Sequence, residues 1–284
     1  MEPEEVRRKA QQIRLIALDI DGTSMNNKSE ITAHTRAILQ ELVNRGYLVV
    51  PTTGRRFHNL REKIIGVAGI RYVISSNGAV VTDGDSGSRI YENLIPCETA
   101  AALAGDLLQD NCCLYLHQND GKGTFAPACK SREVYEKYFA KPGWPSAEDI
   151  LTSDLDRRIR HAGQDVIKLG LYFLPPKGFG VFENIMAEKY PNINFFRVGN
   201  NSLEFTNGGV NKAVGLRALC QHLQIPLEQV CAIGDNGNDV EMLRVAGIGV
   251  AMGNAIAEAK AAADFIAGDN DREGAADFFE KFFL

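Results

Sequence analysis

The sequence has no C-x-x-C pair, no apolar run of membrane length and no excess of basic charge. Each absence removes a class of protein. The cysteines at 97, 112, 113, 129, 220 and 231 lack the paired spacing of a zinc ribbon or a redox dithiol. Cys220 and Cys231 sit in apolar stretches and read as small core residues. A membrane span needs ~20 consecutive apolar residues, so no membrane partner is expected. The segment Met1–Gln12 is charged and lacks the apolar stretch of a secretory signal, so a reduced, cytoplasmic protein is expected. Lys and Arg number 31 against 36 Asp and Glu, a net charge of −5. Phosphate backbones are held by basic patches, so no nucleic-acid partner is expected. A local basic pocket for a small anion stays open. Internal repeats and low-complexity linkers are also missing, and the histidines at 34, 58, 117, 161 and 222 show no ligand spacing.

What is present is an ordinary globular composition, 45% hydrophobic and 24% charged over 284 residues. That length suits one large domain or two modest ones, with a core that needs no disulfide or structural metal. The run Ile13–Leu18 reads as a buried strand ending in Asp-Ile-Asp-Gly-Thr. Thr32 can cap a helix carrying Ile38, Leu39, Leu42 and Val43 that stops at Gly46. Tyr47–Val50 and Tyr72–Ile74 are further apolar runs, ending in Pro-Thr-Thr-Gly-Arg and Ser-Ser-Asn-Gly. Later, Asn211–Gln224 reads as a helix, Val230–Ile233 as a strand ending in Gly-Asp-Asn-Gly-Asn-Asp, and Gly247–Ala251 as another strand. Strands alternating with helices imply an α/β fold, a Rossmann-like, mostly parallel sheet with helices on both faces. Ligands bind beyond the carboxyl ends of such strands, where the polar motifs fall.

The middle region has a different pattern. Glu98–Gln109 reads as a helix, Cys112–His117 and Gly123–Ala126 as strands, and Val166–Leu174 as another strand. A helix near Phe179–Tyr190 and the strands Asn194–Val198 and Ser202–Thr206 follow. Paired strands beside helices suggest an inserted α+β domain over 82–206, dividing a core made of 1–81 and 207–284. Lys141-Pro-Gly-Trp-Pro145 reads as a loop within it.

The chemistry begins at Asp19 and Asp21. In an extended chain, residues i and i+2 point the same way, so the two carboxylates share one pocket. They repel unless a cation or a proton separates them, and several carboxylates in an oxygen-rich site suit Mg²⁺. Asp235 and Asp239 form a second acidic cluster. Lys212 opens a helix, where a cation and free backbone N–H groups favour an anion. Thr53 adds a hydroxyl and Gly54 a backbone that a ligand can approach closely. Taken singly, Asp19–Gly22 would be a turn, Asp235–Asp239 a turn with a helix cap, and Lys212 a solvated side chain. Together they describe a pocket for phosphoryl transfer. Asp269-x-Asp271-x-Glu273-Gly274 comes close to a calcium loop, but Glu273 and Ala276 break the pattern. Asp271 is expected instead to begin the C-terminal helix.

Four segments carry a resemblance: Asp19-Ile-Asp-Gly-Thr23, Thr53-Gly-Arg55, Lys212, and Gly234-Asp-Asn-Gly-Asn-Asp239. They resemble the haloacid dehalogenase superfamily, in its Cof-type branch of phosphatases with an α/β cap. Ser76-Asn-Gly-Ala79, Gly249-Val-Ala-Met-Gly-Asn-Ala255, Ala263-Asp264 and Asn270-Asp-Arg-Glu-Gly274 add to it. Ser24 and Pro51 depart from the family's habit, which is an apolar and a small residue there. The resemblance implies a phosphatase that acts on small phosphorylated metabolites, sugar phosphates first among them. It implies Asp19 as nucleophile, forming an aspartyl-phosphate, and Asp21 as acid and then base. It implies Mg²⁺ held by Asp19, the Asp21 carbonyl and Asp235, with Asp239 behind them, and Thr53, Gly54, Lys212 and Asn238 on the phosphoryl oxygens. A mutase or phosphotransferase using the same aspartyl-phosphate, and a catalytically silent binding protein, are the alternatives. No oligomeric state is assigned. Specificity is expected from polar residues of the insert, with His117, Gln118, Asn119, Arg197 and Asn201 as candidates.

Overall fold

The four residues before Asp19 have no polar side chain to leave in water, and they form a strand buried along its length, β1 (Leu15–Leu18). The computed structural model describes residues 1–57, 67–108, 112–118, 125–136, 140, 154–173, 184, 186, 188–197 and 202–284. Two units are distinct: Met1–Glu92 with Asn211–Leu284, and Asn93–Val210.

In the first unit, β1 lies at the interior of a five-stranded parallel sheet. Its other strands are β2 (Leu48–Pro51), β11 (Val230–Gly234), β12 (Ile248–Ala251) and β13 (Phe265–Ile266), in the order β13-β12-β11-β1-β2. Leu15 pairs with Val230 on one side and with Leu48 on the other, so β1, β2 and β11 end at one level. Every residue of β11 and β12 is buried, as a parallel sheet covered on both faces requires. The sheet's residues come from both ends of the chain, with the second unit's sequence falling between β2 and β11.

The helices form where the sequence has caps. The Thr32 hydroxyl accepts the Thr35 N–H at 3.1 Å and starts Ala33–Asn44, which buries Ile38, Leu39 and Leu42. The Asn211 side chain accepts the Val214 N–H at 2.9 Å and starts Lys212–Leu223. The C-terminal helix is Gly274–Phe283, and it buries Phe278, Phe279, Phe282 and Phe283. Asp271 does not begin it. That residue lies in the short turn Asn270–Arg272, because its carboxylate accepts the backbone N–H of Asn27 at 2.7 Å.

A small antiparallel sheet, β3 (Tyr72–Ser75), β4 (Val80–Asp83) and β5 (Arg89–Glu92), completes the first unit. Since β4 pairs with β3 on one side and with β5 on the other, the first unit runs on to Glu92 and resumes at Asn211, whereas the sequence set the crossings near Thr82 and Thr206.

The second unit has an antiparallel sheet of β6 (Cys112–Gln118), β7 (Phe125–Cys129), β8 (Val166–Phe173), β9 (Ile193–Arg197) and β10 (Ser202–Asn207), in the order β7-β6-β8-β10-β9. Strand alternation sorts its residues. Leu114, Leu116, Leu169, Leu171, Leu203 and Phe205 form one core with the helices Cys97–Leu107 and Leu155–Ala162. Tyr115, His117, Lys168 and Glu204 occupy the alternate positions. Glu204 accepts from Lys168 Nζ at 2.6 Å and from the Tyr115 hydroxyl at 3.0 Å. The loop Lys141–Pro145 and most of the helix expected near Phe179–Tyr190 lie outside the described residues. Among the described residues, no helix is long and apolar enough to cross a membrane.

One ion pair in the small sheet carries a pH signature. Arg71 Nη2 donates to Asp83 Oδ2 at 2.7 Å, and that bond holds the Asp83 carboxyl down at about 2. An unfolded aspartate titrates near ~3.9. The stabilisation is therefore complete above that value and is lost as pH falls toward the folded value. Urea midpoints of wild type and Asp83→Asn should differ most at pH ~6 and converge as pH falls to ~2. A gap that stays constant across this range would contradict the assignment.

Candidate active site

Three loops leave the sheet at the carboxyl ends of β1, β2 and β11, and the first and last of them bring Asp19, Asp235 and Asp239 together beside Lys212. Asp19 follows β1 directly. Its backbone N–H donates to the Ile233 carbonyl at 3.1 Å, so the sheet ladder itself sets where the side chain starts. The carboxylate is buried, 4% exposed, and accepts from Lys212 Nζ at 2.6 Å. Lys212 reaches it from the first turn of its helix, itself only 1% exposed, and also donates to Asp239 Oδ1 at 2.5 Å. Asp239 is fully buried. Its other oxygen accepts the backbone N–H groups of Asp235 and Asn236 at 3.0 and 2.9 Å.

Carboxylate oxygens of Asp19, Asp235 and Asp239 all lie within 4.8 Å of one another. The three are not equivalent. Both oxygens of Asp239 already accept hydrogen bonds, so it braces Lys212 and the loop after β11. Asp19 and Asp235 are the members with oxygens to offer a ligand. Asp235 also accepts from the Thr23 hydroxyl at 3.1 Å. Gly22 keeps this approach open: at φ +78°, a Cβ there would stand 2.5 Å from Asp235 Oδ2.

The charges are strongly perturbed. Burial pushes the Asp19 carboxyl well above its ordinary value; Asp239 and Asp235 add to the rise and Lys212 opposes it. Burial also raises Asp235, again with help from Asp239. For Lys212, burial pulls downward but the charges of Asp19 and Asp239 outweigh it, so the ammonium form is reinforced. Three carboxylates face one lysine, with Asp19, Asp239 and Lys212 buried and Asp235 partly exposed, so acidic groups outnumber the cation.

Asp21 stands apart from this cluster. Its side chain is 51% exposed, and Arg55 grips it with two hydrogen bonds, Nε to Oδ2 at 2.6 Å and Nη2 to Oδ1. The two carboxylates of the Asp-x-Asp segment therefore do not share one environment. The chain leaves β1 in a turn, Ile20–Ser24, with Asp21 extended and Gly22 at positive φ, and Asp19 is pulled inward by Lys212 while Asp21 is held outward by Arg55.

The loop after β2 is fixed by the small sheet: Thr53 N–H donates to the Ile74 carbonyl at 2.9 Å. The Thr53 hydroxyl accepts the Arg55 N–H at 3.1 Å. Gly54 has a packing role, since a Cβ there would come within 2.9 Å of Asn77 Oδ1. That same Asn77 oxygen accepts from Asn238 Nδ2 at 2.9 Å. Asn77 thus joins the loops after β2 and β11. It sits at φ +60°, a conformation that asparagine tolerates better than most residues.

Arg55 and Asn77 are the residues that sequence reasoning quoted without a role. The signal for Asn77 was its place in Ser76-Asn-Gly, where a left-handed turn is favoured. Arg55 gave none, because an arginine after Thr-Gly reads as any surface cation. Of the candidates in the insert, His117 is buried on β6. Asn119, Asn201 and the side chains of Gln118 and Arg197 lie outside the described residues.

The haloacid dehalogenase-like hydrolase family model matches residues 16–279, nearly the whole chain. The chain belongs to that family. Phosphatase YwpJ of Bacillus subtilis (strain 168) is 28% identical over 283 residues, covering 93% of this chain and 98% of the relative. The 5-amino-6-(5-phospho-D-ribitylamino)uracil phosphatase YitU of the same organism is 25% identical, covering 95% and 97%. The solved structure of phosphatase BT1666 from Bacteroides thetaiotaomicron shares the fold, with a TM-score of 0.77 at 24% identity over 95% of each chain. The chain is therefore an enzyme, a hydrolase of a family whose relatives named here are phosphatases.

For this hydrolase, Lys212 also has a structural duty. Removing it leaves Asp19 and Asp239 facing each other without a counter-charge. Breaking a buried ion pair from one side costs about 3 kcal/mol or more. Lys212→Met should therefore lower the unfolding free energy by about 3 kcal/mol, read by urea denaturation without divalent cation. An unchanged midpoint would show that the lysine is not holding these charges.

Proposed function

We propose that this hydrolase transfers the phosphoryl group of a small phosphorylated metabolite to Asp19 and then to water, in a pocket that takes Mg²⁺. One observation carries the reading: the buried Asp19 carboxylate, 2.6 Å from Lys212, with oxygens of Asp235 and Asp239 within 4.8 Å. A nucleophile, a phosphate-binding cation and a set of hard oxygen donors occupy one place at the end of the central strand.

The donor set fits Mg²⁺. Phosphatases of this superfamily generally use it. Here burial, and after it the charge of Asp239, raises both Asp19 and Asp235, the state that a hard cation relieves. Asp19, Asp235 and the Asp21 carbonyl are the groups assigned to hold it, with Asp239 behind them. Bound there, the cation would neutralise charge on the phosphoryl oxygens.

The remaining steps belong to side chains. An Asp19 oxygen attacks phosphorus, and the bond from phosphorus to the leaving oxygen breaks. Asp21, as the acid, gives its proton to that oxygen. A water then attacks the aspartyl-phosphate and loses a proton to Asp21, which releases inorganic phosphate and restores Asp19. Lys212, Thr53, Gly54 and Asn238 are assigned to the phosphoryl oxygens. Arg55 feels the charge of Asp19 as well as Asp21. A phosphoryl group entering beside Asp19 competes for that guanidinium and frees Asp21 to carry a proton.

The leaving group is assigned to the sugar or sugar-alcohol class. The support is the relative named for a phosphorylated ribityl compound. Every ester presents the same phosphoryl group, so discrimination needs contacts elsewhere. We assign them to the inserted unit, 82–206 in the sequence reading, whose sheet carries Tyr115, His117, Lys168 and Glu204 on one face. A net charge of −5 supports a small phosphate ester over a nucleic acid, and the cytoplasm is the expected setting.

The test is phosphate release from a panel of sugar, polyol and nucleotide monophosphates. Activity should vanish on exhaustive chelation and return with Mg²⁺. Asp19→Asn should abolish turnover and leave no acyl-phosphate to trap. Full activity after chelation would remove the metal from the reading, and an active Asp19→Asn would remove the nucleophile.

A further inference from the structure

Two segments take no part in the chemistry above, yet their side chains converge on the loop that carries it. Asn254 follows β12, and Asn270 and Asp271 follow β13, all in the first unit. Asn254 Nδ2 donates to the Gly22 carbonyl at 2.8 Å. Asn254 Oδ1 in turn accepts the backbone N–H of Asn270 at 3.0 Å. Asn270 is 5% exposed, and its Nδ2 donates to the Met25 carbonyl at 2.9 Å. Asp271 accepts both the backbone N–H and the side-chain amide of Asn27. Carbonyls on and just past the helical turn Ile20–Ser24 are therefore held from the far side of the sheet's edge. Within the turn, the Ser24 hydroxyl donates to the Asp19 carbonyl at 2.6 Å.

The first of these carbonyls belongs to the residue next to Asp21. Gly22 has φ +78° and ψ 1°, a conformation open to glycine and with few restraints of its own. Asp21 is half exposed, so no packing fixes it, and Arg55 grips only its carboxylate end. An acid must come within ~2.6–3.2 Å of the oxygen that it protonates. The backbone beside Asp21 needs an anchor, and the Asn254 amide supplies it at the adjacent peptide.

We propose that Asn254 and Asn270 are positioning residues for Asp21, holding the Gly22 and Met25 carbonyls so that the acid–base carboxylate is presented at one place. The inference rests on the reading of Asp21 as the acid. A misplacement of ~1 Å at a reacting group costs about 10²-fold in rate. That loss is specific in kind: it falls on esters whose leaving oxygen needs a proton and spares those whose leaving group departs as an anion.

Asn254→Asp makes the test. It keeps the shape and the oxygen that accepts from Asn270, and it removes the donor to Gly22. Because Asn254 is exposed, the fold tolerates the change, and a melting temperature near wild type checks this. The measured quantity is kcat/KM for a sugar phosphate and for p-nitrophenyl phosphate, since that ratio reports phosphorylation of the enzyme alone. Asn254→Asp and Asn254→Ala should lower kcat/KM for the sugar phosphate about 10²-fold and for the aryl ester by less than about 10-fold. Equal losses on both esters, or no loss on either, would overturn the proposal. Asp21→Asn is measured beside them. If it shifts the ratio and the Asn254 variants do not, only the positioning role fails. If it does not shift the ratio, Asp21 is not the acid and both readings fall.

Discussion

A lysine ammonium buried between two carboxylates is the constraint on which the site depends. Lys212 is in contact with Asp19 and Asp239 at once, and those residues come from the ends of two neighbouring parallel strands. Burying such a set is costly unless every charge is matched and hydrogen-bonded. Here the matching is incomplete by design of the sequence: with Asp235 included, three carboxylates meet one cation. The surplus negative charge keeps the pocket from being a settled salt bridge, and it supports the proposal that a cation binds there. The surrounding backbone is committed to this arrangement, since Asp239 spends its second oxygen on the N–H groups of Asp235 and Asn236.

The two aspartates of Asp19-Ile-Asp21 then divide their work by environment. One is desolvated and tied to a buried cation; the other is wet and tied to an arginine that solvent reaches. Pairs of titratable groups pushed into unlike surroundings are how one pocket supplies both a nucleophile and an acid–base group. The separation comes from the turn after β1, whose Asp19 carbonyl is held from within by Ser24 and whose Gly22 and Met25 carbonyls are held by Asn254 and Asn270 from distant loops.

The sequence by itself determined the parallel sheet, the cap at Thr32, the helix opening near Asn211, and the convergence of Asp19, Lys212, Asp235 and Asp239. Those follow from local rules: apolar runs bury, capping side chains satisfy free N–H groups, and parallel strands end together. Only the tertiary structure decided which partner each group takes. Asp21 faces Arg55 and not Asp19's pocket; Asp271 serves Asn27 and not the helix after it; Asn238 and Gly54 meet through Asn77. Each of these pairs is separated by tens to hundreds of residues in the chain. Hydrogen-bond partners across such separations are chosen by the register of the strands, and side-chain chemistry read along the chain carries no record of it.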